Sequence, residues 1–201
     1  MNYKNVRDIV WKILIKNEIT ELPIDLEKIC KQEGINLFSY KVGKNFIESL
    51  GMTDEDLEND AFSISSAIFY NEEKPHQRIR FSIAHEIGHI LLHTNRAIKV
   101  YNREPSPYDS PIEVEANAFA ARLLAPLCVL QFLNLNSAKE IAEICDISYT
   151  AAEHRFSRLC EIRKRNKERR SENKHGTFLM SRLERQVLEN FKEYIDKNKR
   201  D

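Results

Sequence analysis

His85 and His89 stand four residues apart, with Glu86 between them, inside the stretch Gln77–His93. Residues four apart on a helix lie one above the other, so this spacing lets two imidazoles meet one metal ion if the stretch is helical. Glu86 flanks the same face and can reach a water held there. Zinc takes nitrogen and oxygen ligands in tetrahedral array and, with three protein ligands, leaves one position open. His85-Glu86-Ile87-Gly88-His89 therefore supplies two ligands and a general base. Ile83, Ile87, Ile90 and Leu91 give this helix an apolar surface to bury. Gly88 costs about 1 kcal/mol relative to Ala within a helix, and close approach of a neighbouring backbone would explain its presence. The bland alternative is two solvated histidines on an amphipathic helix.

A third ligand must come from elsewhere. His93 continues the four-residue series, but that series drifts round the helix and climbs about 6 Å per step. His93 is expected to lie beyond ligand reach, acting either behind the ligands or on the helix C-terminal dipole. The helix Ile112–Ala120, with Glu113 and Glu115, is the better source. The four cysteines, Cys30, Cys128, Cys145 and Cys160, are scattered without paired spacing, which excludes a zinc ribbon and fits a reducing cytosol.

Of the 201 residues, 42% are apolar and 31% charged, a globular composition, and Lys+Arg balance Asp+Glu at 31 each. Global attraction to polyanions is thus not implied. Five Gly and six Pro favour helices over a loop-rich β sandwich. The longest apolar run, Leu123–Leu130, falls far short of the ~20 residues that span a bilayer. Asp8, Lys12 and Lys16 break any secretory h-region, so a soluble cytoplasmic protein is expected.

Apolar spacing predicts helices over 5–15 and Asp25–Glu33, the latter ended by Gly34. A strand is expected over Ile35–Val42, a loop or short helix over 44–60, and a strand through Phe62, Ile64, Ile68 and Tyr70. Helices follow near 77–93 and over Pro111–Leu124, joined by a loop over Asn95–Ser110. Ala138–Cys145 and Tyr149–Arg163 read as two helices, and Phe178–Ile195 as a final amphipathic one. Between the last two, Arg163–His175 carries seven Lys/Arg against two Glu and no apolar residue, a linker or exposed helical extension.

Arg80–His93, followed by Glu113–Pro126 and preceded by Ala67–Asn71, resembles the ImmA/IrrE family of zinc metallopeptidases. The likeness covers roughly residues 25–160. It implies a minimal gluzincin-like peptidase holding one zinc ion per chain through His85, His89 and Glu113, with Glu86 catalytic. Well-known members cut a helix-turn-helix repressor encoded beside them, which implies such a repressor as protein substrate and relief of mobile-element or stress genes. Ala125 departs from the large apolar residue that members often carry before the proline.

Face analysis agrees on Glu113, which shares the inward stripe with Ala116, Asn117, Ala120 and Leu124, while Glu115 lies opposite beside Arg122. Asn117 is then a candidate to support a ligand histidine from behind. The rival role for Glu113 is structural, since Ser110-Pro111-Ile112-Glu113 has capping-box spacing. The strand Ser63–Tyr70, with Ile68, Phe69 and Tyr70, is expected to offer its edge to an extended substrate. Tyr101, Tyr108 and His154 are candidates to assist the oxyanion.

Ile141–Ala152 has helix-turn-helix spacing, with Ala142 allowing close crossing, Ile147 plugging the turn and Ser148 capping the second helix. Glu153, His154, Arg155 and Arg158 form a mixed surface, which favours a helical pair over a DNA reader. The expected fold is α+β and predominantly helical. It comprises a zincin-like domain with a small sheet (1–135), a helix-turn-helix-like unit (136–165), and a basic linker with a C-terminal amphipathic helix (166–201). The competing class is a DNA- or protein-binding regulator with a non-catalytic metal site; the intact Glu86 argues against it, since a structural site needs no base.

Overall fold

The computed structural model describes residues 3–53, 58–93, 110–172 and 180–200. They form a predominantly helical α+β fold with one small sheet. The chain divides into two compact units, residues 1–7 with 25–123, and residues 8–24 with 124–201. The boundary falls at Leu123–Leu124, and residues 8–24 group with the C-terminal part.

In the first unit, α2 (Leu26–Glu33) starts at Asp25, whose side chain accepts from the Lys28 amide, and stops at Gly34 in the left-handed conformation (φ 70°). Strand β1 (Asn36–Ser39) is shorter than the expected 35–42. Ser39 accepts from the Val42 amide, caps α3 (Tyr40–Ser49) and turns the chain into helix. The alternating stretch 62–70 is two strands rather than one: β2 (Ala61–Ile64) and β3 (Ala67–Tyr70) fold back on each other around Ser65 (φ 55°) and Ser66. Phe62, Ile64, Ile68 and Tyr70 keep one parity along the sequence although the turn puts the first two and the last two on opposite faces, so periodicity alone could not reveal the break.

Sheet order is β1-β3-β2, with β1 parallel and β2 antiparallel to the central strand. Register places Phe38, Phe69 and Phe62 in one row across the three strands, their rings stacked at 5.5 and 5.1 Å. That face carries α3, whose Phe46 stacks on Phe69 and whose Gly43 lies over the same ring. The other face presents Leu37, Ile68 and Ser63 and packs on α4 (His76–Leu92). Both faces of β3 are covered, hence Ile68 and Phe69 are both buried.

The central place of β3 corrects one expectation. Ile68, Phe69 and Tyr70 lie on a strand paired along both sides, so they have no edge to offer. The outer strands are β1 and β2.

Helix α5 (Pro111–Leu124) has proline in its first position and a small, apolar inner face in which Ala116, Phe119, Ala120 and Leu123 are fully buried. The expected loop over 95–110 lies, apart from Ser110, outside the described residues.

The second unit takes in most of α1 (Tyr3–Lys16) and the elements after α5. Helix α6 (Leu127–Phe132) was not legible as a separate element. Helix α7 (Ala138–Cys145) packs along α8 (Tyr149–Glu172) through the turn at Asp146, which adopts φ 50° where glycine is commoner. Helix α8 runs on through the basic segment to Glu172, so that segment is helical extension rather than linker up to there. The final helix is two, α9 (Arg182–Asn190) and α10 (Lys192–Asn198), broken at the fully buried Phe191. Ser181 and Glu184 form a full capping box at the start of α9.

Candidate metal centre

Helix α4 brings His85 and His89 together one turn apart, their Nε2 atoms 2.9 Å from each other. Helix α5 supplies Glu113, whose Oε2 lies 3.2 Å from His85 Nε2 and whose Oε1 lies 3.3 Å from His89 Nε2. Ligand atoms of these three residues all fall within 4.8 Å of one another, the only such group of three or more among the described residues.

The close approach of α5 rests on a missing side chain. A Cβ on Gly88 would meet Phe119 Cδ1 at 3.1 Å and Phe119 Cβ at 3.2 Å. The neighbour that needs the glycine is thus a buried aromatic side chain rather than a backbone.

Asn117, one turn beyond Glu113, places its Oδ1 2.9 Å from His85 Nδ1. An amide oxygen only accepts, so Nδ1 carries the proton and, in the neutral ring, Nε2 keeps its lone pair. That lone pair then faces the Glu113 carboxylate at 3.2 Å, acceptor against acceptor. A cation between them relieves the conflict, and two imidazoles with a carboxylate suit zinc. The donor set therefore fits the metal.

Glu86 is buried, 6% exposed, and its Oε2 accepts from Ser63 Oγ at 2.7 Å. Beside it a cavity of about 180 Å³ is lined by His85, Glu86, Glu113 and Asn117, with Ala61 and Phe81 among its walls. Asp60 stands at this cavity with Oδ2 held by Arg78 Nε at 2.6 Å.

His93 is the C-terminal cap of α4; its N–H donates to the His89 carbonyl and its ring lies 5.8 Å from that of His89. It is outside the ligand group. Glu115 is also outside it, and Ser110 Oγ accepts from the Glu113 amide at 3.4 Å while both Glu113 carboxylate oxygens face the histidines. Tyr101 and Tyr108 lie outside the described residues, and His154 is exposed on α8 of the second unit. Sequence reasoning missed Ser63 and Phe81. Phe81 lies in the Arg80–His93 stretch one helical turn before His85, a spacing that could have found it, whereas only the strand pairing brings Ser63 to the site.

The family model of peptidase M78, described as an IrrE N-terminal-like domain, matches residues 30–157. No curated protein matches the chain significantly.

Proposed function

The chain belongs to the M78 peptidase family, the ImmA/IrrE family, and from that premise we propose that it is a zinc-dependent endopeptidase acting on a helix-turn-helix repressor. The observation that carries the reading is the convergence of His85, His89 and Glu113 beside the buried carboxylate of Glu86. Zinc, when held by these three, supplies Lewis acidity that polarises the scissile carbonyl and acidifies water. Glu86 takes the proton from the attacking water on one carboxylate oxygen and delivers it to the leaving amine. His85 is kept in its ligating tautomer by Asn117.

The substrate backbone is proposed to lie along β2. Asn71 N–H donates to the Asp60 carbonyl, so 60/71, 62/69 and 64/67 are the hydrogen-bonded pairs of this antiparallel ladder. Ala61 and Ser63 then direct their N–H and C=O groups to the outer edge, which pairs with no other strand among the described residues. An extended peptide added there would pass the cavity at Ala61.

Within the second unit, Arg155 donates to the Ala125 carbonyl and Arg163 to that of Leu135. Two cations of the helix-turn-helix-like pair are thus engaged with their own chain, which supports a structural role over DNA reading. No helix among the described residues is long and apolar enough to cross a membrane. A repressor as substrate would put the activity in the cytoplasm.

The test is co-expression with the helix-turn-helix repressor encoded nearest to this gene. Wild type is expected to cleave it, and Glu86→Gln to retain zinc and fold but leave it whole. Equal cleavage by metal-replete Glu86→Gln would remove Glu86 from the mechanism.

A further inference from the structure

Ser63 stands where two demands of the proposed reaction meet. Its place in the β2–β3 register puts its side chain on the α4 face and its backbone polar groups on the outer edge of β2. The hydroxyl donates to Glu86 Oε2 at 2.7 Å from a residue 23 positions earlier in the chain. A carboxylate has two oxygens, and this bond sets how they are turned: Oε2 accepts from Ser63, and Oε1 does not. A Glu side chain has three rotatable bonds, and losing its only fixed partner on β2 would let the carboxylate turn within the adjoining cavity.

We infer that Ser63 is a positioning residue that aligns the base with the docked substrate: its main chain receives the peptide while its hydroxyl holds Glu86 at the scissile bond. The inference rests on the endopeptidase reading for its kinetic consequence, but the geometry of Glu86 can be examined apart from activity. A purely structural hydroxyl, one that only satisfies a buried carboxylate, would change stability without separating kcat from KM.

The experiment compares zinc-loaded full-length wild type, Ser63→Ala and Ser63→Thr, by crystal structure and by hydrolysis of fluorescein-labelled, heat-denatured casein. In Ser63→Ala the Glu86 carboxylate is expected to leave its wild-type position while His85, His89 and Glu113 superpose and zinc content is unchanged. A misplaced base should lower kcat on the order of tenfold with KM within about twofold. Ser63→Thr, which keeps the hydroxyl and suits a strand, should restore both position and kcat. An unmoved carboxylate in Ser63→Ala, a change in KM alone, or failure of Thr to restore would overturn the inference. Casein left intact by wild type would fit a site-specific peptidase and leave the endopeptidase reading to the repressor test, while the position of Glu86 in the two crystal structures would still decide the role of Ser63.

Discussion

A Cβ built on Gly88 would stand 3.2 Å from the Cβ of Phe119, an atom that cannot move without its own backbone. The packing of α5 on α4, and with it the reach of Glu113, therefore depends on the absence of one methyl group. Gly88→Ala gains about 1 kcal/mol of helix propensity but overpacks a buried ring, which typically costs about 1–3 kcal/mol. We expect a net loss of about 1 kcal/mol by denaturant titration, together with weaker zinc binding as α5 is pushed outward. Stability and zinc affinity at or above wild type would show that the helices can give way freely.

On the proposed reading, Asn117 would serve the metal through His85 rather than by touching it. Asn117→Ala leaves the Nδ1 proton to water and frees the ring to turn. Partners of this kind typically contribute about 10–100-fold to metal affinity. Zinc competition against a chromophoric chelator should show a loss of about tenfold, with helix content unchanged. Affinity equal to wild type would remove Asn117 from the site.

The parts of this molecule legible in its sequence are those set by local spacing. The four-residue step from His85 to His89 suits a helix, and Asp25 and Gly34 announce both ends of α2. The expected inward stripe of α5 was only partly legible: Asn117 is exposed, Phe119 and Leu123 are buried, and it is the meeting with α4 that sets Glu113 apart from Glu115. What escaped is pairing at a distance. Nothing local distinguishes Ser63 from Ser65 or Ser66; only the antiparallel fold-back of β2 on β3 turns the first towards Glu86. The same turn made one alternating stretch look like a single strand and hid that Ile68 and Phe69 sit in the middle of the sheet. The break at Phe191 escaped likewise, because the four-residue apolar spacing continues across it from Val187 to Ile195.

The helix-turn-helix-like pair of the second unit tests the rival reading of the protein as a regulator. Arg155 and Arg163 bond carbonyls of their own unit, and Arg158 pairs with Glu161. The full chain is expected to show no sequence preference for duplex DNA, with binding no tighter than ~10⁻⁷ M at ~0.15 M salt. Specific affinity tighter than that in a fluorescence titration would favour the regulator.

The central claim is that α5 completes a zinc site through Glu113, and the metal content of two purified variants tests it most directly. Glutamine can still close a capping box but is a poor zinc ligand, so the substitution separates the two roles open to this residue. Glu113→Gln should lose zinc with its helices intact by circular dichroism, whereas Glu115→Gln and wild type should each hold one zinc per chain. Zinc kept by Glu113→Gln and lost by Glu115→Gln would contradict the account.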